Sequence, residues 1–171
     1  MRLLSKYVGS LPSPRKENAA LFLYCLRTPM LLLMRPEVIA NSSQSVTIRV
    51  PINWFTMNQY GTMFFGAIAA GADLTGGFAA FERAPALGVQ VLYKNFSCVF
   101  LRRVDAPLYL TCNDVPAIIR GIEEAHKTGA RVNVDVKVNG FNKEHSDVHP
   151  VVTAAMTLSL KEESKARPKT A

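Results

Sequence analysis

The stretch from Asn58 to Phe81, NQYGTMFFGAIAAGADLTGGFAAF, constrains the fold of this chain more than any other. It is the longest apolar run in the sequence, opens on polar and turn residues, and carries one charged side chain, Asp73. Thr62 stands where an N-cap is needed, so a helix is expected to begin near Met63 and run until Gly76-Gly77 loosens it. The small residues Gly66, Ala67, Ala69, Ala70, Gly71 and Ala72 leave little bulk on several faces, and other backbone can approach closely. Such a helix has to be enclosed by its neighbours. A bilayer is a poor host for it, because an unpaired carboxylate at mid-span costs about 3 kcal/mol.

The flanking sequence supplies the enclosure. From Ser45 the period changes to two: Val46, Ile48, Val50 and Ile52 alternate with Thr47, Arg49, Pro51 and Asn53, which predicts a half-buried strand. Pro51 removes a ladder donor and points to an edge or a bulge. After the helix come an extended run from Val89 to Val104, a turn at Asp105-Ala106-Pro107, and a returning strand from Leu108 to Cys112. Asn113 and Asp114 are placed to cap a short helix, VPAIIRGIEEAHKTG, with Gly129 as its stop. Val132, Val134, Val136 and Val138 then alternate as a strand, and a last strand should bury Val152, Ala154, Met156, Leu158 and Leu160. One long helix followed by mostly antiparallel strands predicts an α+β fold, in which a curved sheet of about five to six strands wraps the helix.

The ends of the chain read differently. Residues 1–40 are expected to form an arm and a helix from about Glu17, interrupted at Pro29 and lying over the core, over a partner subunit or, in a sharper reading, along a membrane interface. Residues 41–161 form the main domain, and 162–171 a basic flexible tail. The net charge of +7 owes much to those ends, through Arg2, Lys6, Arg15, Lys16, Lys161, Lys165, Arg167 and Lys169. Terminal charge of this kind reads as solvated tail, and no basic stripe interleaved with aromatics or other nucleic-acid motif is present. With 49% hydrophobic and 19% charged residues in 171, part of the apolar surplus is expected at an oligomer interface. Cys25, Cys98 and Cys112 have no CxxC spacing, and the first residues do not read as a secretory signal, so a reducing, cytoplasmic setting is expected.

Asn58, Gly61-Thr62-Met63, Gly66, Asp73, Gly76-Gly77 and the strand YKNFSCVFLRRVDAP together resemble the hotdog fold and its thioesterase-type members, including a branch of unassigned function. In acyl-CoA thioesterases of the phenylacetate-pathway type, a similar stretch runs from an Asn through Gly-Thr-Leu-His-Gly-Gly to a helical Asp. Asn58 and Asp73 here stand fifteen positions apart, as in that pattern. The departure is Phe64-Phe65-Gly66 in place of His-Gly-Gly. The resemblance implies hydrolysis of an acyl-CoA or acyl-carrier-protein thioester, with Asp73 as general base or nucleophile, Asn58 orienting water or the thioester, and the Phe65 and Gly66 amides holding the oxyanion. It implies no cofactor, since coenzyme A enters as substrate.

Helix geometry adds a constraint of its own. Asp73 lies eight residues beyond Phe65, roughly 12 Å along the axis, and cannot reach a carbonyl held at the start of its own helix. A shared site then requires a second, antiparallel copy of the helix, hence a homodimer or a dimer of dimers. Arg102 and Arg103 are candidates for the coenzyme phosphates, although adjacent strand residues face opposite ways. Phe64 is a candidate substrate contact, and Phe64, Phe65, Phe78 and Phe96 are expected to line an apolar acyl pocket.

Plainer accounts stand beside each of these. Asp73 could merely hydrogen-bond a neighbouring strand, Asn58 could serve only its turn, and the arginines could be solvated edge charge. The bulky Phe64-Phe65 also motivates a non-catalytic acyl-binding or regulatory protein as the alternative. A hydratase of the same fold would need a His near the helix, and none lies between Met1 and Glu124. His145 and His149, with Glu144 and Asp147, read as a turn before Pro150 and predict no metal site. His126 reads as a cation near a helix C-terminus. No phosphate loop follows the glycines, no stable membrane insertion is expected, and no GxSxG elbow is present.

Overall fold

The computed structural model describes residues 14–142 and 149–162. Two short helices come first, α1 (Arg15–Cys25) and α2 (Pro29–Met34), followed by strands β1 (Glu37–Asn41) and β2 (Val46–Val50). The long helix α3 (Phe65–Arg83) and a 3-10 turn (Ala84–Leu87) lead to β3 (Val89–Phe100) and β4 (Leu108–Cys112). Helix α4 (Val115–Thr128) and strands β5 (Val132–Phe141) and β6 (Val152–Glu162) complete the described fold. The six strands form one antiparallel sheet in the order β1-β2-β4-β5-β6-β3. The sheet curves around α3, giving the α+β architecture that the alternating segments predict and the hotdog fold that the resemblance implies.

The apolar alternation sets which face is inside. Val46, Ile48 and Val50 of β2, Leu108 and Leu110 of β4, and the five expected residues of β6 are all buried. Gly71 lets α3 sit so close to the sheet that a Cβ there would lie 2.7 Å from Leu110 Cδ1 and 2.9 Å from Val50 Cγ2. The helix is held by this contact more than by its own propensity. Gly76-Gly77 accordingly does not loosen it: both are buried against Met156, Val138, Tyr93 and Phe81, and the helix continues to Arg83.

Several expectations are corrected. Helix α3 starts at Phe65, two residues later than expected, because the Thr62 hydroxyl is engaged with the Asn58 amide group (2.9 Å to Nδ2) and is not available as a cap. Pro51 does not mark an edge: it follows the last residue of β2, which is interior, between β1 and β4. Strand β1 has no counterpart in the sequence reading, since only Val38 of its five residues is buried and no alternation announces it. The N-terminal apolar segment is two helices, with Pro29 at the first position of the second, where its missing N–H costs nothing. Strand β3 ends at Phe100, so Arg102 and Arg103 lie in the bend beyond it and strand alternation does not govern them. Asp114 stands at the N-cap of α4 but makes no capping bond; its carboxylate accepts the Lys137 N–H (2.8 Å) and ties α4 to β5.

Candidate active site

The approach to α3 is built by two polar side chains turned inward. Asn53 Oδ1 accepts the N–H groups of Phe55 (2.8 Å) and Thr56 (3.1 Å), and the fully buried Thr56 hydroxyl donates to Pro51 O (2.8 Å). Five residues on, Asn58 Oδ1 accepts the N–H groups of Tyr60 (3.0 Å) and Thr62 (3.1 Å). Gly61 supplies the positive φ of 73° that this turn needs. Backbone bonds from Met63 N to Val104 O (2.8 Å) and from Phe64 N to Thr56 O (2.9 Å) then fix the entry into the helix.

At that entry Phe64 is extended (φ −74°, ψ 150°), and its carbonyl accepts Ala67 N and Ile68 N. The amides of Phe65 and Gly66, the first two helical positions, make no hydrogen bond among the described residues. They carry the unsatisfied donors and partial positive charge of a helix N-terminus, a fit for a developing oxyanion. The Phe64 ring lies against Gly66 where a side chain would otherwise stand, with its Cδ2 3.1 Å from an added Cβ.

These groups border an open cleft of about 670 Å³. Asn58, Phe64, Phe65, Arg102 and Arg103 all line it, so five of the residues singled out in the sequence are brought together. Gly66 adjoins it through its neighbour Phe65. Both arginines are exposed: Arg103 Nη2 donates to Tyr60 O (3.4 Å) and Arg102 Nη2 to His149 O (3.5 Å). His149 is described; His145, Glu144 and Asp147 lie outside the described residues.

Asp73 is not in this cleft. It sits half-buried two turns along α3, where burial pushes its carboxyl above the ordinary Asp range. Tyr93 of β3 donates its hydroxyl to the Asp73 backbone carbonyl (3.0 Å), and its hydrogen bonding pulls the carboxyl partly back. The hydroxyl reaches that position because Gly77 has no side chain in its way. Burial and the neighbouring Asp73 in turn drive the Tyr93 phenol well above its usual value. Tyr24 of α1, stacked on Phe81 (4.9 Å), closes the same region and is raised by burial and by Asp73.

Tyr93 is the residue that sequence reasoning missed. Its partner is twenty positions away on another element, and the one available signal was the glycine it needs at position 77. The four expected phenylalanines are not one lining: Phe64 and Phe65 face the cleft, Phe78 is buried beside a separate cavity under α1, and Phe96 lies exposed on β3. Among the described residues, strand β3 is an edge that pairs only with β6, and it exposes Leu92, Phe96, Val99 and Phe100. His126 lies 3.5 Å from Glu162 at the C-terminal end of α4. Cys25 and Cys112 are buried, and burial pushes the Cys112 thiol up to about 11. No helix among the described residues is long and apolar enough to cross a membrane.

Residues 17–160 match a family model described as a domain of unknown function, DUF4442. No curated protein matches the sequence. Among solved structures, the chain resembles a protein of unknown function from Chlorobaculum tepidum (TM-score 0.75, 11% identity, covering 88% of this chain and 97% of that one). It also resembles a Pseudomonas aeruginosa protein of unknown function described as a probable thioesterase (TM-score 0.69, 17% identity, 90% and 99% covered). A thioesterase family protein from Silicibacter pomeroyi is similar over 82% of this chain and 94% of its own (TM-score 0.63, 16% identity). At these identities the likeness is one of fold.

Proposed function

The chain belongs to the DUF4442 family, and from its hotdog fold and the cleft at the start of α3 we propose that it hydrolyses acyl thioesters in a site shared by two subunits. One observation carries the reading: the amides of Phe65 and Gly66, without partners among the described residues, stand at the start of α3 beside a cleft lined by Phe65, Arg102 and Arg103. The carboxylate suited to the chemistry, Asp73, lies about 12 Å along the same helix. A homodimer meets both facts. The free edge and exposed apolar side chains of β3 support such pairing, because a long unpaired edge strand is a template for another chain.

In that dimer a thioester carbonyl lies against the Phe65 and Gly66 amides of one protomer and faces Asp73 of its partner. Asp73 takes a proton from water as the oxygen adds to the carbonyl carbon, and the two amides hold the resulting oxyanion. Collapse of the tetrahedral intermediate breaks the C–S bond, and the leaving thiolate takes the proton back from Asp73. Direct attack by the carboxylate, giving an anhydride that water opens, uses the same geometry. Asn58 orients the water or thioester, and Arg102 and Arg103 hold the phosphates of coenzyme A or of a carrier's prosthetic arm. The apolar walls from Phe64 and Phe65 favour a fatty or aromatic acyl group.

The Phe64 ring packed against Gly66 favours a second reading, a protein that binds acyl groups without turning them over. Thiol release from short, long and aromatic acyl-CoAs, with Asp73→Asn compared at dimer content matched by light scattering, separates the two. The expected result is turnover that falls about 10²–10⁴-fold in the variant. Saturable binding without turnover would select the second reading. A monomer at micromolar concentration, or equal activity in both proteins, would refute the shared site.

A further inference from the structure

Three separate features of the fold aim one hydroxyl at one peptide. The first is a β-bulge. The register of β3 against β6 slips between Tyr93, opposite Leu158, and Asn95, opposite Thr157, which leaves Lys94 as the extra residue. Regular alternation would send Tyr93 and Phe96 to opposite faces of the sheet. Past the bulge Phe96 stands opposite Met156, so both side chains share the face that β6 turns towards α3. The second feature is Gly77. A Cβ there would fall on the Tyr93 hydroxyl, and glycine in a helix interior is otherwise unfavourable. The third is the hydrogen bond itself, from the Tyr93 hydroxyl to the Asp73 carbonyl (3.0 Å). In an α-helix that carbonyl already serves the amide four residues on, and its second lone pair takes the hydroxyl without breaking the helix.

Phenylalanine at position 93 would fill the same space. The bulge interrupts the ladder and Gly77 weakens the helix, yet both serve the one polar atom that phenylalanine lacks. We propose that Tyr93 is a positioning residue for Asp73, its hydroxyl fixing the turn of α3 from which the carboxylate works as a base. The assignment rests on the reading of Asp73 as the base in the proposed hydrolysis. Burial raises the Asp73 carboxyl, and hydrogen bonding from Tyr93 acts against it by favouring the ionised form. Tyr93 keeps its own proton where such a base works, because burial and Asp73 hold the phenol well above its usual value. The other titratable groups that act on this pair are Tyr24 of α1 and Cys112 of β4. Both are raised by burial and stay neutral there.

Tyr93→Phe is the test, with Gly77→Ala as a second route that displaces the hydroxyl while leaving the tyrosine in place. In Tyr93→Phe, kcat should fall about tenfold with KM within about twofold. The acidic limb of kcat/KM should move up by about one pH unit, because a base that loses a donor is protonated at higher pH. Gly77→Ala should move the limb in the same direction, and Gly76→Ala should leave it in place. Carbon-13 NMR of aspartate-labelled protein, with Asp73→Asn identifying the signal, should show the same upward shift of the carboxyl without any need for turnover. A carboxyl titration that Tyr93→Phe leaves unchanged would overturn the assignment, while an inactive Asp73→Asn would still uphold the hydrolysis. Turnover by Asp73→Asn equal to wild type would overturn the hydrolysis, and the positioning role with it.

Discussion

Replacing Gly71 by alanine tests whether α3 is held in place by close contact with the sheet. On propensity alone the change should stabilise the helix by about 1 kcal/mol. The new Cβ, however, would sit 2.7 Å from Leu110 Cδ1 and 2.9 Å from Val50 Cγ2, and both residues are fully buried. Valine is stiff at χ1 and Leu110 is enclosed, so the helix or β2 has to move; overpacking of this kind costs about 1–3 kcal/mol. The net expectation is a loss of up to about 2 kcal/mol. Gly76→Ala is the internal control, with the same propensity gain but a new Cβ that meets Met156 Sδ at 2.6 Å and Val138 Cγ2 at 3.3 Å. A thioether with three rotatable bonds can give way, so this variant should fall within about 0.5 kcal/mol of wild type. Urea denaturation followed by far-UV circular dichroism measures both; Trp54 fluorescence is a poor probe of unfolding because Trp54 is already exposed. Equal stabilities for the two variants, or a Gly71→Ala protein more stable than wild type, would refute the close-contact account.

Asp73→Asn should cost activity yet raise stability at neutral pH. Burial holds the folded carboxyl above its ordinary value of 3.8, so folding disfavours the ionised form. Below 3.8 both folded and unfolded forms are protonated and the penalty vanishes; it is complete once pH has risen through the folded value. The stability gain of the variant should accordingly grow from acid to neutral pH, and a gain independent of pH would count against it. For the cleft, Arg102→Glu with Arg103→Glu should raise KM for a CoA ester about tenfold while leaving a short thioester without the nucleotide within about twofold. Equal effects on both substrates would remove the phosphate-binding role.

Much of the fold was legible because burial on one face writes a period into the sequence. The valines of β5, the alternation in β2 and β6 and the small-residue helix announce themselves, and so does the distance that keeps Asp73 from the start of its own helix. Elements that owe their form to partners left no such trace. Strand β1 exists because β2 pairs with it, α3 runs through Gly76-Gly77 because the sheet encloses it, and Thr62 loses its capping role to Asn58. The site divides in the same way. Its local parts, Asn58 and the amides at Phe65 and Gly66, lie within nine consecutive residues and could be read from turn and helix chemistry. Only the tertiary structure put Arg102 and Arg103 on the rim of that cleft and the Tyr93 hydroxyl on Asp73. Periodicity encodes which face of an element is buried, but not which distant element covers it; that is decided when the sheet closes around the helix.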